Sequence, residues 1–223
     1  RRLPELQELQ REHTWQPLEA RELRDVTIGI VGLGSLGRAV AALAGAFGSR
    51  VIATRRNPAD GTRPTAAEAA DEAEDDQPPV PPRLDRVLGP DGLPELLAAS
   101  DFVVLAAPLT AETEGLIGED ALTAMRPGAW LINVARAGLV DERALLRALR
   151  EGRIGGAVLD TFRQEPLLPD AAFWDLPNVI VTPQTSWSSG RVLDRSVELF
   201  CDNLRRFAAG QPLRNVVDAD AGY

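Results

Sequence analysis

The segment VTIGIVGLGSLGRAV, residues 26–40, decides the fold that the rest of the sequence predicts. Its first six residues predict a buried strand, and the residues after the turn predict a helix built from small side chains. Between strand and helix, Gly32, Gly34 and Gly37 stand in G-x-G-x-x-G spacing, which is informative only in this strand–turn–helix context. The segment therefore predicts a turn that approaches the pyrophosphate of a dinucleotide.

Each glycine of this turn has its own expected role. Gly32 permits the tight turn, Gly34 lets the backbone approach the phosphates, and Gly37 lets the helix pack closely on the strand. Ser35 and Leu36 open the helix, where unpaired backbone N–H groups and the positive end of the helix dipole favour an anion. These five residues are the predicted pyrophosphate site, and the alternative is a glycine-rich turn without a ligand.

The next predicted strand, RVIAT, ends at Thr54 and is followed by Arg55 and Arg56. An acidic residue at this point usually binds the ribose 2′-hydroxyl of NAD, whereas arginines suit the 2′-phosphate of NADP. These three residues are candidate coenzyme contacts, and they favour NADP over NAD. The alternatives are arginines that are solvated at the start of a loop, and an NAD site that uses the later Asp60.

Strands and helices continue to alternate along the chain. Residues 1–25 predict a connecting helix and linker, residues 26–209 a single dinucleotide-binding domain, and residues 210–223 a C-terminal tail. Buried apolar strands separated by helices are typical of an α/β fold with a doubly wound parallel sheet of the Rossmann type. Residues 57–92 interrupt the alternation because they are acidic and rich in Pro and Ala, so we expect a surface loop there, mobile over about 57–83.

Composition narrows the function classes. The net charge of −9 argues against binding to nucleic acid. All 24 basic residues are arginine, which excludes Schiff-base and lysine-base mechanisms. No apolar run approaches the ~18 residues needed to span a bilayer, and no secretory signal opens the chain, so we expect a cytoplasmic protein without a membrane partner.

Three residues that follow the later strands are candidates for chemistry, because ligands of open parallel sheets bind at the carboxyl ends of strands. Arg136, in LINVARAGLVDE, can bind a carboxylate and polarise a carbonyl, with a structural ion pair as the alternative. Glu165, in AVLDTFRQEPL, lies in the next loop, where a solvated carboxylate is the alternative. Gln184, in NVIVTPQTSWSS, follows what we expect to be a buried strand, at a position suited to a proton-transferring residue.

Five segments in their order along the chain resemble the D-isomer-specific 2-hydroxyacid dehydrogenases: GIVGLGSLGRAVA, AAPLTAETEGLI, LINVARAGLVDE, AVLDTFRQEPL and NVIVTPQTSWSS. The resemblance implies an NAD(P)-dependent oxidoreductase that interconverts a small 2-keto acid and a 2-hydroxy acid, and a homodimer formed through the cofactor domain. It also implies an N-terminal substrate-binding lobe, which we expect to be largely absent from this chain. Leu6, Leu9 and Trp15 would then be apolar surface without a partner.

The resemblance also implies roles for individual residues. Arg136 matches the arginine that binds the substrate's carboxylate and carbonyl, and Glu165 matches the glutamate that pairs with a catalytic histidine. Gln184 occupies the place of that histidine. Further residues match segments that line the cofactor, the last of them near the nicotinamide amide: Ala107, Pro108, Thr113, Val134, Ala135 and Asp160.

Gln184 changes what this site is expected to do, because glutamine has no proton to give at neutral pH. The one histidine is His13, expected in the N-terminal helix. General acid catalysis contributes roughly 10²–10⁴ in rate, so its loss would slow hydride transfer while cofactor binding is kept. Three alternatives stay open: the glutamine is a deliberate substitution, it is a natural variant that binds cofactor without turnover, or Glu165 or a water molecule supplies the proton. A catalytically silent dinucleotide-binding module or sensor is the alternative function; an amino-acid dehydrogenase is disfavoured because the chain has no lysine.

Overall fold

The structure is a computed structural model that describes residues 2–56 and 84–217. Its centre is a parallel sheet of seven strands in the order β3-β2-β1-β4-β5-β6-β7. The strands are β1 (Thr27–Val31), β2 (Arg50–Thr54), β3 (Arg86–Leu88), β4 (Phe102–Leu105), β5 (Trp130–Asn133), β6 (Gly156–Leu159) and β7 (Val179–Val181). This is the strand order of a Rossmann fold with one further strand, so the predicted fold class is confirmed.

The α-helices within the described residues are α1 (Leu3–Arg11), α2 (Ser35–Ala46), α3 (Leu93–Ala99), α4 (Glu119–Ala124), α5 (Glu142–Arg150) and α6 (Val192–Ala208). Successive residues of a strand face opposite sides of the sheet. Ile30 and Val51 accordingly pack with α2 on one face, and Val31 and Ile52 pack with α3 on the other. The larger part of the core lies on the α3 side, where α4 and α5 also pack.

The predicted elements agree with the structure where the apolar pattern is strong, as at β2, and differ in three places. Residues 86–88 were expected in a loop but form β3, which pairs with β2 through Ala53 and Val87. The strand before Gln184 was expected to be buried, but β7 is an edge strand with Ile180 38% exposed. His13 lies beyond the last residue of α1 and has a left-handed backbone (φ 53°).

Other expectations concern residues whose structure is not described. The loop that we expect to be mobile over about 57–83 and the end of the expected C-terminal tail, 218–223, lie outside the described residues. Among the residues that are described, none of the helices combines the length and the apolarity that crossing a membrane requires.

The register of the sheet aligns the ends of its strands. Val31 pairs with Thr54 and with Leu105, and Asn133 pairs with Leu105 and with Leu159. Leu159 pairs in turn with the last residue of β7. All of these residues end their strands, so the loops that follow them leave the sheet along one side, here called the C-terminal edge. The candidate coenzyme and substrate residues within the described part of the chain lie on that edge.

Candidate active site

The glycine turn follows β1 at the C-terminal edge. Gly32 has a φ of 96°, and its N–H donates to the Thr54 carbonyl at 3.2 Å. A Cβ atom on Gly32 would lie 2.6 Å from the Ala107 backbone nitrogen, and one on Gly37 would lie 2.1 Å from the Gly32 carbonyl oxygen. A Cβ on Gly34 would meet nothing within 4 Å. Gly32 and Gly37 are thus required by packing, whereas Gly34 leaves the backbone of the turn open to a ligand.

The helix that follows this turn offers an anion site. α2 starts at Ser35 with Gly34 as its N-cap, and both Ser35 and Leu36 are exposed. Its first turn, which lies wholly within the described residues, carries neither an acidic side chain nor a side-chain cap. The backbone N–H groups of a helix start need a partner, and an anion can supply it. The turn and α2 therefore fit the pyrophosphate of a dinucleotide.

Thr54, Arg55 and Arg56 lie beside this turn, because β2 is the neighbour of β1. Thr54 is buried, and the Arg55 N–H donates to the Leu88 carbonyl of β3 at 2.9 Å. The exposed Arg56 pairs with Glu112 at 3.5 Å, across to the loop that follows β4. The two guanidinium groups thus start from the strand end where a Rossmann fold contacts the adenosine ribose. Asp60 lies outside the described residues.

The loop after β4 is closed on itself by Thr113. Its hydroxyl donates to the Pro108 carbonyl at 2.7 Å and accepts from the Thr110 N–H at 2.8 Å. Ala107, at the start of the loop, is the residue against which Gly32 packs. This loop therefore borders the glycine turn directly.

The turn after β5 carries Arg136 and is organised by Asn133, a residue that the sequence analysis missed. The Asn133 side chain is buried; its Oδ1 accepts from the Ala135 N–H at 3.1 Å, and its Nδ2 donates to the Arg136 carbonyl at 3.0 Å. Val134 lies between them, and the exposed Arg136 side chain donates to the Ala135 carbonyl at 2.9 Å. A polar residue that ends a buried apolar strand is the signal that would have identified Asn133.

Glu165 is held within its own loop after β6. Its Oε1 accepts from the Thr161 hydroxyl and from the Phe162 N–H, both at 2.9 Å. Among the described residues, this carboxylate accepts hydrogen bonds from these two donors and none from Gln184. The expected pairing of Glu165 with the residue at position 184 thus stays a prediction.

Asp160 connects the end of β6 to the loop that carries Gln184. Its buried carboxylate accepts from the Thr182 hydroxyl, from the Thr185 N–H at 2.9 Å and from the Ser186 N–H at 3.0 Å. Burial alone would raise the pKa of Asp160, but the hydrogen bonds from Ser186, Thr182 and Thr185 together lower that pKa to about 2. Asp160 therefore remains ionised at every physiological pH.

The C-terminal edge thus carries a turn that fits an anion, two arginines beside it, and the separate loops that hold Arg136, Glu165 and Gln184. A guanidinium group can bind a carboxylate in two parallel hydrogen bonds, and an amide can donate to a carbonyl oxygen. Within residues 2–56 and 84–217, no cluster of His, Cys, Asp and Glu side chains is arranged to hold a metal ion.

Comparison with sequence families and curated proteins gives consistent matches. Residues 1–186 match the family described as D-isomer specific 2-hydroxyacid dehydrogenase, NAD binding domain. A glycerate dehydrogenase of Methylorubrum extorquens is 39% identical over 198 residues, which are 86% of this chain and 53% of the relative. A glyoxylate reductase of Thermococcus gammatolerans is 40% identical over 199 residues, 88% of this chain and 53% of the relative. The chain therefore spans about half the length of these curated relatives.

Solved structures resemble the fold closely. An NADPH-dependent glyoxylate/hydroxypyruvate reductase from Sinorhizobium meliloti, in complex with NADP and sulfate, has a TM-score of 0.82 and 32% identity, covering 100% of this chain and 65% of that one. A D-isomer specific 2-hydroxyacid dehydrogenase from Xanthobacter autotrophicus, in complex with NADPH and MES, has a TM-score of 0.81 and 35% identity, covering 99% and 82%. A D-lactate dehydrogenase with NAD+ from Lactobacillus jensenii has a TM-score of 0.75 and 26% identity, covering 98% and 64%.

Proposed function

Because the chain belongs to the D-isomer-specific 2-hydroxyacid dehydrogenase family, we propose that it is the coenzyme-binding part of an NAD(P)-dependent oxidoreductase. The reaction would interconvert a 2-keto acid and a D-2-hydroxy acid. The observation that carries the proposal is the common register of the strand ends, which gathers the glycine turn, Arg136, Glu165 and Gln184 along the C-terminal edge.

In this proposal the coenzyme supplies or accepts the hydride, and the chain binds and orients it. Gly32, Gly34, Ser35, Leu36 and Gly37 hold the pyrophosphate with the backbone of the turn and the start of α2. Thr54, Arg55 and Arg56 hold the adenosine ribose, and the two arginines favour NADP over NAD. The remaining proposed lining residues are Ala107, Pro108, Thr113, Val134, Ala135 and Asp160. The solved relatives contain NADP, NADPH or NAD+, so both coenzymes occur on this fold.

The substrate would be held by the side chains at the ends of β5 and β7. Arg136 binds the carboxylate of the 2-keto acid through its guanidinium group. Gln184 can donate a hydrogen bond to the keto oxygen, which polarises the carbonyl, but it cannot give that oxygen a proton. The chain would therefore bind coenzyme and substrate but transfer hydride slowly, with the proton supplied by Glu165 or by water.

A titration with the two coenzymes tests the cofactor assignment. A charge-assisted hydrogen bond contributes about 1.5–3 kcal/mol, so we expect NADPH to bind about tenfold or more tightly than NADH. Arg55→Asp should abolish this preference. Arg50→Asp is the matched control, because Arg50 is exposed at the other end of β2. If NADPH and NADH bind equally well and Arg55→Asp changes neither, the assignment of NADP is wrong.

Restoring an acid tests the reaction. Gln184→His should raise the NADPH-dependent reduction of a 2-keto acid by roughly 10²–10⁴, because the imidazolium can protonate the carbonyl oxygen. Gln184→Asn provides the background, since asparagine also tolerates a left-handed backbone but carries no proton to give. A Gln184→His protein that binds NADPH but stays as inactive as the parent would favour a catalytically silent dinucleotide-binding module.

We also propose a homodimer formed through this domain; the cytoplasmic location stays a prediction from the sequence. Support for the dimer comes from the outer face of α2, where Leu36, Leu43 and the C-cap residue Phe47 are exposed in one stripe. Symmetric dimers bury the same patch on both subunits. We expect light scattering after size exclusion to give a dimer mass for the parent and a monomer mass for the Leu43→Glu/Phe47→Glu variant, with coenzyme affinity unchanged.

A further inference from the structure

The carboxylate of Asp160 accepts several hydrogen bonds from a single loop. A carboxylate has about four acceptor positions on its two oxygens. The Thr182 hydroxyl, the Thr185 N–H and the Ser186 N–H bond to it. The residue is 4% exposed. Most of its acceptor positions are therefore occupied by donors of this loop.

The same loop holds Gln184 in an unusual backbone conformation. Gln184 has a φ of 50°, in the left-handed region that few residues other than glycine adopt. Its N–H donates to the Asp160 carbonyl at 3.0 Å, so both the backbone and the side chain of Asp160 bind the loop. A strained residue persists only where its surroundings fix it, and here Asp160 holds residues on both sides of Gln184 as well as the Gln184 N–H.

Asp160 also connects the loop that carries Gln184 to the turn that carries Arg136. Its N–H donates to the Asn133 carbonyl at 3.0 Å, and the Asn133 side chain organises the turn that carries Arg136. A displacement of Asp160 would therefore disturb both regions. It makes four hydrogen bonds to the loop after β7 and one backbone hydrogen bond to the residue that precedes the turn after β5.

We propose that Asp160 is a positioning residue, which fixes residues 182–186 and thereby the location of Gln184, in addition to its place among the residues that line the coenzyme. Its effect on catalysis rests on the proposed function, but its effect on the loop does not. The acid/base position is thus set by the hydrogen bonds that the loop makes to this carboxylate. Substitution of Asp160 should disturb position 184 even when no nucleotide is present.

Hydrogen exchange of the nucleotide-free chain tests this role. Asp160→Asn keeps the size of the side chain but removes its charge and one acceptor oxygen. We expect the backbone amides of residues 184–186 to exchange about tenfold or more faster than in the parent, because charge-assisted bonds that protect them are lost. Asp101→Asn is the matched control: Asp101 is also buried and accepts from Arg21, Arg126 and the Thr27 N–H, but it lies at the opposite edge of the sheet. It should leave exchange at 184–186 within about twofold of the parent.

A nuclear magnetic resonance titration adds a readout that general destabilisation would not move. In the Gln184→His background, the introduced imidazole shares the spectrum only with His13. Adding Asp160→Asn should lower the pH at the midpoint of the imidazole's titration curve. The substitution removes a nearby negative charge that favours the protonated imidazole. Adding Asp101→Asn should leave that midpoint unchanged.

The outcomes separate this role from the proposed function. Unchanged exchange at 184–186 in Asp160→Asn would overturn the positioning role, and so would a midpoint that does not move. If Asp160→Asn fails to fold, Thr182→Val removes the hydroxyl donor and should still accelerate exchange at 184–186 at least about threefold. Exchange is measured without nucleotide, so a chain that binds no coenzyme would refute the proposed function alone.

Discussion

The three glycines of the turn after β1 have different neighbours, so they should respond differently to one substitution. Gly37→Ala drives a methyl group against the Gly32 carbonyl oxygen, to 2.1 Å in the present backbone. Overpacking of this kind costs about 1–3 kcal/mol, and α2 would have to move away from the turn. We expect Gly37→Ala to lower both the free energy of unfolding, measured in urea, and the affinity for NADPH.

Gly34→Ala should separate these two effects. The added methyl group meets nothing within 4 Å, and the backbone at Gly34 is extended. The free energy of unfolding should therefore change by less than about 1 kcal/mol. The same methyl group stands where the phosphates would approach, so the affinity for NADPH should fall about tenfold or more. If both variants lose stability and affinity in the same proportion, the turn does not serve as a phosphate site.

Substitution of Asn133 should weaken substrate binding, although Asn133 itself need not contact the substrate. Asn133→Ala removes two buried hydrogen bonds, which should lower the free energy of unfolding by about 2 kcal/mol and release the turn that carries Arg136. In the Gln184→His background, the KM for a 2-keto acid should therefore rise. Asn178→Ala is the control. Asn178 also donates to a backbone carbonyl, but it precedes β7, on the side of the sheet where the strands begin. Equal KM values in the two variants would contradict a positioning role for Asn133.

The hydrogen bonds of Asp160, which connect the end of β6 to the loop after β7, should make the free energy of unfolding depend on pH in the acid range. The pKa of Asp160 is lowered from 3.8 to about 2 in the folded chain, so this group adds stability above its unfolded pKa and loses it as the pH falls through about 2. The shift corresponds to about 2 kcal/mol. We expect Asp160→Asn to be less stable than the parent by about this amount at pH 6, and the difference to shrink between about pH 4 and pH 2. Urea unfolding of both proteins over this pH range measures it; a constant difference would contradict the prediction.

Strands with strong apolar patterns could be predicted from the sequence, and strands that depend on a neighbour could not. β2 has the predicted bounds because four of its five residues are buried. β3 has three residues, of which Arg86 is exposed, and it exists through its pairing with β2. The apolar run of β7 predicted burial on both faces, but its position at the sheet edge leaves Ile180 partly exposed. Local composition does not contain this information, since pairing order is a property of the whole chain.

The candidate site shows the same limit. The glycine turn could be predicted, because its spacing and its flanking elements are local in the sequence. The bonds of Asp160 join residues 22 to 26 positions apart, so they follow from the sheet register and not from a motif. Asn133 was missed for a related reason: its function is to bind backbone groups, and any polar side chain at a strand end gives the same signal.

Across the whole molecule, apolar surface is unevenly covered. The core is dense where α3, α4 and α5 pack on the sheet, whereas every residue of α6 is at least partly exposed. Phe200 and Phe207 are 67% and 74% exposed, and they lie on one stripe of α6 with Leu193, Val197 and Leu204. Trp15 is 98% exposed, as expected for apolar surface without a partner, and Leu6 is 38% exposed. Exposed apolar patches of this kind are uncommon on monomeric proteins, and they mark surfaces that bind something.

The stripe on α6 should therefore control how the 223-residue chain behaves in solution. We expect the chain to bind the dye ANS, because water contacts the apolar side chains of α6. At protein concentrations above those at which the dimer mass is measured, we expect the same stripe to join dimers into larger assemblies. Phe200→Ser/Phe207→Ser should reduce dye fluorescence and remove these larger assemblies, as measured by light scattering after size exclusion. Glu198→Ser/Arg205→Ser, which changes two exposed polar residues of the same helix, should not. If both double variants assemble like the parent, the association arises elsewhere on the surface, and the outer face of α2 becomes the first place to substitute.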